Sequence, residues 1–316
     1  MTSENRLVLG TMTFGDTVDE SGAARMLDAA LEAGITSVDT ANGYAGGKTE
    51  EILRELLPAR RERIALATKA GMPHPDAGEH APLSAKGLRA SVEGSLRRLG
   101  VSHVDLFYLH QPDRSTAPEE TLGAVAELVA EGKIGELGVS NFAAWQIAEL
   151  NHAADRTGAP RPVVAQQLYN LLARRIEAEY AEFAATTGLR TMVYNPLGGG
   201  LLTGRHRFDQ APAGGRFDDS RLAAMYKKRY WDASLFEAVD RLSAIAGDAG
   251  LELTELSLRW LLDRPATGSL LLGGSKVEHL RANIAAVQAG PLPADVVRAC
   301  DEVGAWLNGP MPAYNR

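Results

Sequence analysis

Cysteine is almost absent, with Cys300 alone in 316 residues. One thiol cannot close an intrachain disulfide or supply a cysteine-rich zinc site, and Cys300 reads as a helix packing residue. A basic excess is also missing: 33 Lys and Arg face 40 Asp and Glu, for a net charge of −7 and a pI near 5.6. Such a chain is a poor partner for nucleic acid or an anionic membrane. No apolar run approaches the roughly eighteen residues of a membrane span, and the opening MTSENR lacks the apolar run of a leader. A cytoplasmic protein is the expectation. The 45% apolar and 23% charged residues are enough to build a large core.

The common nucleotide and hydrolase signatures are missing too. Gly43–Thr49 (GYAGGKT) imitates a Walker A loop, but Asn42 stands where the first glycine must be. Gly198, Gly199 and Gly200 begin a dinucleotide fingerprint that Thr203 ends, where a last glycine is required. Gly138–Phe142 (GVSNF) lacks the second glycine of a nucleophile elbow. Seven scattered histidines show no metal-ligand spacing, so no metal is expected.

What is present is rhythm. Short apolar runs at Arg6–Gly10, Ile35–Asp39, Ile64–Lys69, Val104–His110, Ile134–Val139, Val163–Gln167, Leu189–Tyr194 and Ser269–Leu272 read as strands buried on both faces. Amphipathic stretches lie between them, such as Ser21–Ala33, Ser84–Leu99, Pro118–Glu131 and Ala143–Ala154. Ser84 suits an N-cap, Pro118 a first turn, and Gly34 and Gly100 the left-handed residue past a helix end. Eight such units predict an α/β chain folded as one (β/α)8 TIM barrel over residues 1–316. An open doubly wound sheet is the alternative. Two stretches break the rhythm: His74–Pro82 reads as a surface loop, and Gly198–Tyr230 as a long loop after the seventh strand.

In a barrel, chemistry sits where strands end. Those ends read Asp39, Lys69, His110, Ser140–Asn141, Gln166 and Tyr194–Asn195. Tyr44 follows Asp39 by five residues, so both can face one barrel mouth. A free tyrosine is a weak acid, with a pKa of about 10. An adjacent Lys69 would lower that value, and Asp39 would keep Lys69 protonated. His110 would donate a hydrogen bond to a substrate oxygen. The set suits proton delivery to a carbonyl that receives a hydride.

Eight segments carry a closer likeness: LGTMTFG (Leu9–Gly15), VDTANGY (Val38–Tyr44), TKAG (Thr68–Gly71), DLFYLHQPD (Asp105–Asp113), GELGVSNF (Gly135–Phe142), QQLYN (Gln166–Asn170), YNPLGGGLLTG (Tyr194–Gly204) and GGSKVEHLRAN (Gly273–Asn283). In order and spacing they resemble the aldo-keto reductase superfamily over nearly the whole chain. The resemblance implies an NADPH-dependent aldehyde or ketone reductase with Asp39, Tyr44, Lys69 and His110 as its tetrad and Tyr44 as general acid. It implies that Ser140, Asn141 and Gln166 hold the nicotinamide carboxamide and that Tyr194 stacks on the ring. Asn195, Leu197, Gly199 and Arg205 would follow the pyrophosphate. Gly273, Ser275, Lys276, His279 and Asn283 would meet the adenosine end, although Ala282 stands where many members carry Glu. RFDDSRLAAMYKKRYWDASLFEAV (Arg216–Val239) and MPAYNR (Met311–Arg316) resemble the aflatoxin-aldehyde reductase branch. That branch reduces dialdehydes, succinic semialdehyde and related small carbonyls, and its members are commonly dimers, so a homodimer is expected.

Met12, Tyr226, Arg229 and Trp231 are the substrate candidates, with Arg229 or Arg316 meeting a carboxylate. The same cationic stretch also reads as a solvated face. Ser140–Asn141 doubles as a helix N-cap, Asp105 as a turn or cap residue, and His103, His152 and His206 as surface histidines. A cofactor sensor on the same scaffold, like the auxiliary subunits of potassium channels, is the alternative function. A barrel isomerase or lyase that binds no nicotinamide is a third.

Overall fold

In the computed structural model, which describes residues 6–212, 214–218 and 220–310, eight parallel strands close into a barrel in sequence order. They are β1 (Leu7–Gly10), β2 (Ser37–Asp39), β3 (Ala65–Ala70), β4 (Val104–Leu109), β5 (Ile134–Ser140), β6 (Val164–Leu168), β7 (Arg190–Tyr194) and β8 (Ser269–Leu272). β1 pairs with β2 through Leu9 and Val38 and with β8 through Leu9 and Leu272, which closes the ring. The open-sheet alternative is thereby overturned. Around the barrel lie α1 (Glu20–Glu32), α2 (Lys48–Leu56), α3 (Ala85–Leu99), α4 (Pro118–Ala130), α5 (Ala144–Thr157) and α6 (Tyr180–Thr187). They are followed by α7 (Ala223–Tyr230), α8 (Ala233–Asp248), α9 (Leu253–Leu262), α10 (Val277–Gln288) and α11 (Ala294–Asn308).

Local chemistry accounts for the boundaries. The Ser84 hydroxyl accepts from the Gly87 N–H at 3.2 Å, and Gly100 ends α3 at φ +67°. Pro118 opens α4, where its missing N–H is not needed. The stretch after β7 is less irregular than the sequence suggests. It contains a short turn of helix at Gly198–Thr203 and the two-turn α7. Tyr226 and Tyr230, four apart, stack at 6.4 Å and are buried, while Lys227, Lys228 and Arg229 face out. That i, i+4 aromatic pair was the helical signal inside the charged run. His74–Pro82 is likewise anchored: its short Pro75–Ala77 turn is capped by His74, and Ala77 is buried.

Strand alternation positions the site. Val8, Ala67, Tyr108, Val164 and Met192 form a cluster of their own, separate from the large shell between sheet and helices. These residues fill the barrel interior. Gly138 leaves room there for Tyr108, whose ring would lie 2.6 Å from any added Cβ. Two residues further along their strands come Lys69, His110, Ser140, Gln166 and Tyr194. The polar residues therefore form the next layer up, at the C-terminal mouth. Cys300 is fully buried on α11. Among the described residues no helix is long and apolar enough to cross a membrane.

Candidate active site

Lys69 organises the centre. It is fully buried, as is Asp39, and its ammonium donates to the Asp39 carboxylate, to the Thr40 carbonyl at 2.8 Å and to the Tyr44 hydroxyl at 3.1 Å. An ammonium has three donors, and all three are used. The second Asp39 oxygen accepts from Gln166 Nε2 at 2.9 Å. Because the Tyr44 oxygen accepts from Lys69, its own proton remains available. Burial alone would lower the Lys69 pKa, but Asp39 and then Tyr44 outweigh it, so the ammonium is held above its ordinary range. Tyr44 departs from the sequence-based expectation. Lys69 does pull the phenol down, but burial is the larger effect and the net shift is upward. His110 stands edge-on to Tyr44, with ring centroids 6.0 Å apart. Burial, and then Lys69, depress its pKa to about 3, so the imidazole is neutral. Its Nδ1 is buried and has no hydrogen-bond partner among the described residues.

The other strand ends form a collar. Asn141 adopts φ +62° and spends its amide three ways. It donates to the His110 carbonyl at 3.0 Å and to the Ser140 hydroxyl at 3.1 Å, and it accepts from the Tyr194 hydroxyl at 2.6 Å. Ser140 and Asn141 therefore do not cap α5. That N-cap is Ala143, whose N–H meets the Gln146 side chain. Gln166 is turned toward Asp39 and Met192 Sδ. After β7, Asn195 at φ +59° accepts from the Gly199 N–H at 2.7 Å and donates to the Tyr230 hydroxyl at 2.8 Å. Leu197 begins the turn in which Gly198, Gly199 and Gly200 are all left-handed. A Cβ on Gly199 would meet the Tyr226 ring at 2.6 Å, so glycine is required twice over. Asn170 was missed in the sequence, although it lies in QQLYN. Its amide donates to the Asn195 carbonyl and to the Tyr230 hydroxyl.

A cationic corner lies at the start of α10. Lys276 is its N-cap residue, and Ser275 Oγ is 3.2 Å from His279 Nδ1. Burial lowers the His279 pKa, and Lys276 and then Arg205 lower it further, so both cations lie within electrostatic reach of His279. Arg205 also reaches His206 at 3.2 Å. Asn283 is buried, with its amide on the Gly273 carbonyl at 3.3 Å. Free N–H groups at a helix start beside cationic side chains suit an anion.

The substrate candidates separate. Tyr226 is buried beside Met12 through Arg216, whose Nη1 lies 2.5 Å from the Tyr226 hydroxyl and 3.6 Å from Met12 Sδ. Arg216 was not singled out in the sequence, where it is one cation of a run. Arg229 is exposed, and its charge lies near enough to Tyr194 to oppose the larger effect of burial on that phenol. Trp231 instead joins a packed ring cluster with His206, Phe217 and Phe236 and donates to the Phe208 carbonyl. His206 is consequently buried rather than a surface histidine, whereas His103 and His152 are exposed. Asp105 braces the barrel outside the site, accepting from the Leu66 N–H at 2.7 Å. Arg316 lies outside the described residues. A narrow cleft of about 40 Å³ beside Tyr44 is bounded by Met12, Asp16, Arg221 and Leu222.

Comparison with known proteins adds the following. A family model described as the aldo/keto reductase family matches residues 6–305. Aflatoxin B1 aldehyde reductase member 2 of Mus musculus is 38% identical over 324 residues, covering 98% of this chain and 87% of that protein. Aldo-keto reductase family 7 member A3 of Homo sapiens is 38% identical over 325 residues, covering 98% and 96%. A probable voltage-gated potassium channel subunit beta of Oryza sativa subsp. japonica is 32% identical over 288 residues, covering 89% and 86%.

Proposed function

The chain belongs to the aldo/keto reductase family, and from that premise we propose that it is a cytoplasmic NADPH-dependent reductase whose single barrel domain turns small aldehydes, dicarbonyls and semialdehydes into alcohols, with Tyr44 as general acid. The observation that carries this reading is the commitment of all three Lys69 protons, one of them to the Tyr44 hydroxyl. That hydroxyl is left with one uncommitted proton at the barrel mouth. The relative named as an aflatoxin B1 aldehyde reductase supports the same reading, and a homodimer is proposed with it.

The residues fit a dinucleotide. The left-handed Gly198–Gly200 turn lets backbone approach closely, and Arg205, Lys276 and His279 gather at the α10 N-terminus for a phosphate. Ser140, Asn141, Gln166 and Tyr194 would hold the nicotinamide, and Gly273, Ser275 and Asn283 the adenosine end. A reduced nicotinamide bound there would supply the hydride. Neutral His110 orients the carbonyl oxygen, and Tyr44 hands it a proton while Lys69 stabilises the phenolate left behind. The assay that tests the proposal is NADPH oxidation against an aldehyde panel, beside cofactor titration by protein fluorescence. A cofactor sensor would bind NADPH and turn over aldehydes very slowly. An isomerase or lyase would not bind it.

Cofactor choice gives one expected outcome. Lys276→Ala removes a charge-assisted contact to the 2′-phosphate, so the NADPH Kd should rise about tenfold. NADH binding should barely change. Equal wild-type affinity for the two cofactors would remove the basis for a phosphate site at Lys276.

Substrate choice gives another. The exposed Arg229 guanidinium lies within electrostatic reach of Tyr194 at the mouth, where its planar fork would suit a carboxylate. Short aldehydes with a carboxylate or second carbonyl should show lower KM than alkyl aldehydes of equal length. Arg229→Ala should raise KM for the acidic aldehyde about tenfold and leave the neutral one unchanged. An equal response from both substrates would make Arg229 a solvated surface residue.

A further inference from the structure

Tyr44 is carried by a left-handed turn closed by the Gly46 N–H on the Gly43 carbonyl and the Lys48 N–H on the Ala45 carbonyl. Ala45, Gly46 and Gly47 are consecutive left-handed residues, at φ +47°, +65° and +96°. An alanine adopts that conformation only when its surroundings impose it. The surroundings are found on α2, which begins directly after the turn.

Glu50, in the first turn of α2, is fully buried. One of its oxygens accepts from the Thr68 hydroxyl at 2.7 Å, and the other accepts from Arg98 Nε at 2.8 Å. Arg98 spreads the rest of its fork over both Asp76 oxygens, at 3.0 and 2.7 Å. The Arg98 stem also runs along the turn itself, since a Cβ on Gly47 would lie 2.9 Å from its Cδ. Next to Glu50, the buried Thr49 hydroxyl donates to the Phe14 carbonyl at 2.7 Å.

The register of β3 links this network to the chemistry. Thr68 and Lys69 are neighbours, so strand alternation sends them to opposite sides of the sheet. Outside the barrel, Thr68 meets Glu50 of α2; inside, Lys69 meets Tyr44 from the turn that leads into α2. The two contacts straddle one strand and fasten the same pair of elements. A buried ion pair is a weak device for stability, and its best-attested use is fixing registry. We propose that Glu50, clamped by Thr68 and Arg98, is a positioning residue that sets the separation between the Tyr44 hydroxyl and the Lys69 ammonium.

This inference rests on the reading of Tyr44 as proton donor, but its test does not need turnover. The groups facing Tyr44 are Asp39 from β2, Lys69 from β3, His110 after β4, and Tyr226 from α7 with Arg216 on its hydroxyl. Arg221 lies along the same turn. Thr68→Val alters none of these and removes only the hydroxyl on Glu50. Ring-fluorinated tyrosine brings phenol titration into an accessible range, and fluorine NMR follows it, with Tyr44→Phe assigning the resonance. In full-length Thr68→Val the Tyr44 midpoint should rise by about one unit, because Lys69 is less well placed, and kcat should fall about tenfold with KM unchanged. Glu50→Gln should act in the same direction, and Thr68→Ser should restore the wild-type midpoint. If Glu50→Gln does not fold, the Thr68 pair decides. A wild-type midpoint in Thr68→Val, whatever its melting temperature, overturns the proposal, as does a shift that Thr68→Ser fails to reverse. A wild-type protein that reduces no aldehyde would instead sink the proposed activity and leave the titration to decide the positioning role.

Discussion

Replacing Tyr44 with Phe is expected to lower kcat for aldehyde reduction by about 10²-fold or more while NADPH binding stays at wild-type strength. The ring, and with it the packing against His110, is kept; only the hydroxyl proposed as proton donor is removed. The Tyr194 hydroxyl cannot substitute, because its proton goes to Asn141 at 2.6 Å. His110 is neutral, with a pKa depressed to about 3 by burial and Lys69, so it orients rather than protonates. Wild-type-like turnover in the Phe variant would end the assignment.

The pH profile should carry the same signature. Burial raises the Tyr44 phenol above its ordinary value of 10.0, against the opposing pull of Lys69. The proton is therefore held throughout the neutral range, and reduction should lose rate only as pH rises through the phenol pKa. His110 adds no limb near neutrality. The cost of burying the phenol is a weaker acid, so Lys69 is needed to keep the phenolate accessible at all.

Much of this was legible in the chain. Apolar runs ended by Asp39, Lys69, His110 and Tyr194 marked both the strands and their mouth, because a parallel barrel buries its strand bodies and exposes only their ends. That Asp39, Lys69 and His110 meet was legible for the same reason, and Tyr44 only because it follows Asp39 by five residues. Other features depend on which way a side chain turns. Gln166 was visible as a strand-end amide, but nothing in the sequence says that it faces Asp39. The size of the burial effect on Tyr44 depends on how much chain closes over it, and much of that closure comes from residues far away in sequence, around Tyr226. His206 looked like a surface residue because its partners, Phe217 and Trp231, are supplied by the loop after β7. Arg216 could not be told from Lys227 or Lys228 until the fold set it against Tyr226 and Met12.

The largest combined effect on rate and stability is expected for Lys69→Met. Catalysis should fall at least as far as in Tyr44→Phe, because the phenolate loses its cation. The fold should suffer as well, because Asp39 is fully buried and would keep only the neutral donor Gln166. An uncompensated buried charge of this kind costs about 3–5 kcal/mol. Burial already raises the Asp39 pKa against the opposing pull of Lys69, and without that pull it rises further above its unfolded value of about 3.9. A carboxyl raised in the native state favours folding below its unfolded pKa and loses that support as pH rises through its native one. The loss relative to wild type should therefore be smaller near about pH 5 and reach its full size near about pH 8. In the wild type the Lys69 ammonium is held above its ordinary range by Asp39, so its own contribution is constant across that window. Urea unfolding at the two pH values measures the difference. Adding Asp39→Asn removes the charge that Lys69 was balancing, so the double variant should recover most of the stability near pH 8 without recovering activity. A stability loss that is independent of pH, or a double variant no more stable than Lys69→Met, would mean that Asp39 is not the group paired with Lys69 in the folded chain.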